Sequence, residues 1–188
     1  AARTATTSPG KRVVLMADSL GVGAGSTGGL SYFNIAKRIA GSAVVSEASI
    51  NASVAGQTTA QILDRYVVEV RNREDGAKPD VLVMPAGTND LIQNVPLSTF
   101  AANIRSFHRN CIEDNITLIL GTVPPLGTNA GQTVSSTPEN RALLSQYNSY
   151  IRMYCAKYNI PFIETNGALI VKTGASAGAI DPLYMPAG

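Results

Sequence analysis

Pro79-Asp80-Val81-Leu82-Val83-Met84-Pro85-Ala86-Gly87-Thr88-Asn89-Asp90 is the stretch on which the reading of this chain turns. A continuous apolar run, entered through Pro-Asp and left through a short polar loop, is the pattern of a strand buried on both faces. Upstream, Val13-Val14-Leu15-Met16 repeats it and breaks into Ala17-Asp18-Ser19-Leu20, followed by Gly21, Gly23, Gly25, Gly28 and Gly29. Downstream, Leu118-Ile119-Leu120 and Phe162-Ile163 repeat it again, and Val44-Val45 predicts a weaker second strand. The segments between these runs have helical spacing. In Thr58–Val70, for instance, Ile62, Leu63, Tyr66, Val67 and Val70 recur at offsets of three and four. Further helices are predicted near Tyr32–Ile39, Pro96–Asn110 and Pro138–Tyr158. Five strands alternating with helices give an α/β fold whose parallel sheet is covered on both faces, because each parallel crossover needs a helix.

The bulk composition fits one such domain. A chain of 188 residues can bury roughly two-thirds of its unfolded surface in a single core. Residues 1–10, rich in Ala, Thr and Ser and ending Pro9-Gly10, read as a leader or linker, and 11–188 as the domain. Lys and Arg together number 15 against 13 Asp and Glu, with no basic run, which argues against nucleic acid as a partner. No apolar stretch reaches the roughly 20 residues that cross a bilayer, so no membrane partner is expected. The start at Ala1-Ala2-Arg3 suggests a processed or excised piece, compatible with a module of a larger secreted or phage-borne protein. Cys111 and Cys155 are too few for a disulfide scaffold and too far apart for a metal knuckle; both read as free thiols on helices.

In a doubly wound sheet, ligands bind at the carboxyl ends of the strands. Three unusual segments fall there: Ala17-Asp18-Ser19-Leu20, Asn51–Gln57 and Gly87-Thr88-Asn89-Asp90. They are expected to converge on one side of the sheet. A serine directly after a buried strand can be held at the rim, where backbone N–H groups can stabilise a developing oxyanion. A lone Asp-Ser pair, by contrast, more often only caps a helix. The glycines after it do not form a phosphate loop, because Gly21-Val22-Gly23-Ala24-Gly25 lacks the Gly-Lys-Ser/Thr ending and the Gly-x-Gly-x-x-Gly spacing.

Met16-Ala17-Asp18-Ser19-Leu20 resembles the Gly-Asp-Ser-Leu block of the SGNH/GDSL hydrolases, serine esterases and deacylases. Ala55-Gly56-Gln57 resembles their second block, and Gly87-Thr88-Asn89-Asp90 matches their third without a change. The resemblance runs from about Val13 to Phe162 and implies a three-layer α/β/α flavodoxin-like fold with a five-stranded parallel sheet. It makes Ser19 the catalytic nucleophile. It makes the Ser19 N–H, the Gly56 N–H and the Asn89 side chain the oxyanion hole. Asp18 and Asp90 are expected to organise loops, and Asn51 to shape the same region. The implied reaction is hydrolysis of a small acyl ester, an acetylated carbohydrate among the candidates, through an acyl-enzyme on Ser19. No metal and no organic cofactor is implied; the oligomeric state is left open.

The family's last block is Asp-x-x-His, which supplies the base that activates the serine. The single histidine, His108, lies in the helix before Leu118–Leu120 and reads as a surface or boundary residue. Near the end stands Asp181-Pro182-Leu183-Tyr184. Either Tyr184 replaces the histidine, or Asp-Pro-Leu-Tyr is the approach that precedes the block by a few residues; the second is the expectation. A catalytically silent SGNH-like domain binding carbohydrate or protein is the alternative function, and a flavodoxin-like nucleotide binder a third. Tyr147, Tyr150, Tyr154 and Tyr158 form a stripe read as packing, and the Gly/Ser/Thr-rich loop Pro124–Thr137 is expected to shape the pocket.

Overall fold

Strands and helices alternate as the apolar runs predict in the computed structural model, which describes residues 10–24, 26, 30–76, 78–125 and 137–168. The leader expectation for 1–9, the loop at 126–136 and the segment holding Asp181 and Tyr184 lie outside the described residues. In chain order the elements are β1 (Val13–Leu15), α1 (Ser19–Val22), α2 (Tyr32–Ala40), β2 (Ile50–Asn51) and α3 (Thr59–Asp64). After α3 comes a π-helical turn (Val67–Arg71). Then follow β3 (Val81–Met84), α4 (Thr88–Ile92), α5 (Leu97–Glu113), β4 (Thr117–Gly121), α6 (Pro138–Tyr158), β5 (Phe162–Ile163) and α7 (Thr165–Ala168). The five strands form one sheet in the order β2-β1-β3-β4-β5. Every pairing is parallel: Val14 faces Ile50 on one side and Leu82 on the other, Leu82 faces Leu118, and Leu120 faces Phe162. This is the flavodoxin-like order.

Alternation along the strands sorts residues between two layers. Val14, Leu82, Met84, Leu118 and Leu120 belong to the main core, with Ile62 of α3, Phe100, Ile104, Phe107 and Cys111 of α5, and Tyr147, Ile151 and Cys155 of α6. Offsets of four, three and four along α5 put Phe100, Ile104, Phe107 and Cys111 on one face. The Phe100 and Tyr147 rings stack with centroids 4.0 Å apart, and Phe107 meets Tyr66 edge-on at 6.3 Å. Burying each such ring contributes about 1.5–3 kcal/mol. On the opposite face a smaller cluster holds Leu15 and Ala17 against Phe33 of α2, with Val13 and Val83 alongside.

Local chemistry sets the helix ends. The Thr137 side chain accepts from Asn140 N–H at the start of α6, Pro138 occupies its first turn, and Asn159 closes it in the left-handed conformation. Thr58 and Gln61 form a reciprocal capping box on α3.

Two expectations need correction. The second strand is Ile50–Asn51; Val44-Val45 is not a strand. Both valine N–H groups bond back to Gly41 O in the turn after α2, and Val45 makes only an isolated bridge with Lys11. A two-residue strand with one apolar residue leaves no run to read. The helix expected over Thr58–Val70 breaks at Arg65, and a wider turn follows that keeps Tyr66 and Val70 fully buried. Along the stripe Tyr147–Tyr158, Tyr147 is core, Tyr150 and Tyr154 pack half-buried against it, and Tyr158 is exposed beside them. Both cysteines are buried free thiols, pushed up by burial to about 12 for Cys111 and about 11 for Cys155.

Candidate active site

β1 ends at Leu15, and three residues later Asp18 is fully buried at the carboxyl edge of the sheet. Its Oδ1 accepts the Leu20 N–H at 3.0 Å, so Asp18 caps α1 and Ser19 becomes the first residue of that turn, half-buried at the rim. Burial raises the Asp18 carboxyl above the usual carboxylate range. The Leu20 N–H and the Thr88 hydroxyl oppose that rise, and the Asp90 charge adds to it. Asp18 Oδ2 and Thr88 Oγ1 are both buried, and neither completes a hydrogen bond of normal geometry.

The loop after β2 is fastened to the same place. Ala52 N–H donates to Leu15 O at 2.8 Å and Val54 N–H to Ala17 O at 3.1 Å, which extends the parallel ladder beyond the strand. Ser53 Oγ accepts the Ala17 N–H at 3.2 Å. Asn51 uses its whole amide: Nδ2 donates to Gly21 O at 2.7 Å and to Ser31 Oγ at 2.9 Å, and Oδ1 accepts from Ser53 N–H. Asn51 and Asp18 are thus the loop organisers that the sequence suggests. Gly56 sits exposed in a turn with φ of +80°, where a Cβ would meet nothing. The left-handed backbone is what calls for glycine there.

The third loop closes onto the second. Asn89 Nδ2 donates to Gln57 O at 3.0 Å, the only hydrogen bond of its amide among the described residues, so one N–H remains for a ligand. Asp90, fully buried, accepts from Thr59 N–H at 2.8 Å and from Thr59 Oγ1 at 2.5 Å, which pins the start of α3. Burial also raises the Asp90 carboxyl, against the lowering effect of the Thr59 bonds. Gly87 has φ of +135°, and a Cβ there would lie 2.7 Å from Val123 Cγ2 and 3.0 Å from the Phe100 ring. The turn that presents Thr88 and Asn89 therefore tolerates no side chain at Gly87.

The three segments that the sequence places at one edge are thus tied together there. His108 is not part of them. It lies on α5, its Nδ1 3.0 Å from the Tyr154 hydroxyl and its ring edge-on to Tyr154 and Tyr158, with burial lowering its pKa. Sequence reading missed Ser31, Ser53 and Thr59, whose hydroxyls hold the loops, and Tyr32, whose hydroxyl is raised first by burial and then by the Asp18 charge. Single small polar residues in loops carry no periodic signal. A serine hydroxyl and an amide donor on neighbouring loops are the parts that acyl transfer uses. Among the described residues no three His, Cys, Asp or Glu side chains group as a metal site, and no helix is long and apolar enough to cross a membrane.

Solved structures share the architecture. A GDSL-like lipase of Bacteroides thetaiotaomicron is similar with a TM-score of 0.71 and 24% identity, covering 95% of this chain and 80% of that one. A catalytic mutant of an acetylxylan esterase from Geobacillus stearothermophilus is similar with a TM-score of 0.67 and 18% identity, over 85% and 78% of the two chains. The psychrotrophic esterase of a Pseudoalteromonas species gives 0.64 and 16%, over 82% and 76%. At these identities the likeness is one of fold. No curated protein sequence matches the chain. The sequence pattern of one family matches over residues 18–183, the span that holds all three loops. The chain belongs to the GDSL-like lipase/acylhydrolase family.

Proposed function

We propose that this domain is a carboxylic ester hydrolase of the SGNH type, with Ser19 as its nucleophile. The observation that supports the reading is the hydrogen-bonded edge in which Asp18 caps the turn that Ser19 opens, while Asn89 donates to Gln57 O and Asp90 accepts from Thr59 on the adjoining loops. Ser19 Oγ adds to the ester carbonyl carbon, and its proton passes to a general base. The negative oxygen that results is held by the Ser19 N–H, the Gly56 N–H and the free N–H of Asn89. Collapse expels the alcohol with a proton and leaves an acyl group on Ser19, which water then releases as the acid. The reading covers acyl esters as a class, acetylated carbohydrates included, and calls for no metal or cofactor.

A second reading has one observation behind it. His108 sits on α5 against the tyrosines of α6, so no described histidine serves Ser19. A silent SGNH-like domain that binds carbohydrate or protein would look the same at this edge. Fluorophosphonate labelling and p-nitrophenyl acetate hydrolysis separate the two. The hydrolase reading expects Ser19 to be labelled and acetate to be released, both lost in Ser19→Ala with thermal stability retained. A protein that neither hydrolyses the ester nor reacts at Ser19 overturns it in favour of the silent domain, and labelling without turnover points to a serine site without its base.

A further inference from the structure

The starts of β1, β3 and β4 lie at the edge of the sheet opposite Ser19, and the residues there line an open cavity of about 480 Å³. Apart from Pro79, every residue that lines it is polar or charged. Lys11, Arg12 and Lys78 bring three cations to it, against the carboxylates of Asp80 and Asp114. Neither carboxylate pairs with the Arg12 guanidinium. Asp80 Oδ2 accepts the Arg12 backbone N–H at 2.8 Å, and Asp80 Oδ1 lies 3.7 Å from Lys11 Nζ. Asp114 Oδ2 accepts from the Tyr66 hydroxyl at 3.0 Å and from Arg71 Nε at 2.8 Å, while Lys78 Nζ stands 3.6 Å from Oδ1. The Arg12 main chain is locked between two strands, its carbonyl accepting from Asp80 N–H at 2.9 Å and Val81 N–H at 3.1 Å. Its half-buried guanidinium, with five N–H donors, makes no hydrogen bond or ion pair among the described residues. The Asn115 amide and the Thr117 hydroxyl, also in the lining, have no side-chain partner among them either.

We infer that this cavity binds a phosphate group, free or carried on a small polar molecule, with the Arg12 guanidinium as its anchor and Lys11 and Lys78 beside it. A phosphate monoester carries close to two negative charges at neutral pH and three strong acceptor oxygens. That suits a planar guanidinium donating two N–H groups at once, flanked by two ammonium groups acting as point charges. A carboxylate brings one charge and two oxygens, fewer than the cations present. The volume falls within the roughly 300–1,000 Å³ of small-molecule sites and exceeds what a phosphate alone fills. The Asn115 amide, the Thr117 hydroxyl and the two carboxylates are left to meet hydroxyl groups on the rest of a ligand. The site is separate from the chemistry proposed at Ser19, because Arg12 precedes β1 and Ser19 follows it. It stands whether or not the domain hydrolyses esters.

Backbone amide resonances followed during titration with inorganic phosphate, glucose 6-phosphate, glucose and acetate test this. The salt is held at about 0.15 M, where exposed charges more than roughly 8 Å apart are screened. At least one of the two phosphates should saturate and move the amides of Lys11, Arg12, Lys78, Asn115 and Thr117, leaving those of Ser19 and Asn89 in place. Tighter binding of glucose 6-phosphate identifies a phosphate ester as the ligand, and tighter binding of inorganic phosphate the free ion. Glucose should not bind, and acetate should bind more weakly than either phosphate that saturates. Arg12→Gln should weaken binding by roughly tenfold or more, because a charge-assisted hydrogen bond is lost. Lys78→Gln, at an exposed side chain, should weaken it severalfold with thermal melting unchanged, so the test survives if Arg12→Gln fails to fold. The site is overturned if neither phosphate saturates, if acetate binds as tightly, or if affinity is the same in the folded variants.

Discussion

The side of the sheet covered by α5 and α6 and the carboxyl edge around Ser19 obey opposite rules. Between α5, α6 and the strands the buried side chains are Phe100, Ile104, Phe107, Leu144, Tyr147 and Ile151. At the edge the buried residues include Asp18, Ser31, Thr58, Thr59 and Asp90, while Leu20, Val22, Leu30, Tyr32 and Val54 face solvent. Burying a carboxyl is costly unless hydrogen bonds compensate, and exposed apolar side chains forgo hydrophobic stabilisation. The core side therefore supplies stability, and the edge gives some of it up to hold loops in one arrangement.

Three substitutions can break or sharpen that contrast. Phe107→Ala should have the largest effect: removing a fully buried ring that meets Tyr66 costs about 3–5 kcal/mol in urea unfolding, while kcat per folded molecule stays unchanged. Asp90→Ala should do the reverse. Leaving the Thr59 N–H and hydroxyl without their acceptor costs about 1–3 kcal/mol. Ester hydrolysis should fall more than stability does, by roughly a hundredfold, because Asn89 is next in the chain and loses its positioning. If Asp90→Ala lowers the melting temperature and leaves kcat untouched, the edge is merely structural.

The smallest effect belongs to His108. Burial lowers its folded pKa below the ordinary imidazole value, so as pH falls the unfolded chain takes up the proton first. Stability should be level above the unfolded value of about 6.5 and decline as pH drops below it. His108→Gln should flatten that slope in thermal melts recorded between acidic and neutral pH, with ester hydrolysis unaffected. A change in the pH profile of hydrolysis instead would draw His108 into the chemistry and undo its assignment to the α5–α6 surface.

Much of the architecture was legible because continuous apolar runs and helical spacing are physical consequences of burial. Val81–Met84 and Pro138–Tyr158 are read directly from pattern, and the structure assigns them the same limits. β2 was not legible: Ile50–Asn51 is too short to make a run, and its place is set by pairing with β1. The break at Arg65 escaped for a related reason, since Ile62, Tyr66 and Val70 stay buried across it.

At the candidate site the sequence by itself determined which residues are present and that three loops leave the sheet at the same end: Ser19, Gly56 and Asn89 in order, each after a strand. Those features are local and carried by residue type. Only the tertiary structure decided how the loops are held, with Asn51 reaching Gly21, Asp90 reaching Thr59 and Asn89 reaching Gln57. It also decided that His108 turns toward Tyr154. Such contacts join residues tens of positions apart, and a polar side chain's partner is fixed by where the folded backbone places an unpaired N–H or C=O, which no periodicity records.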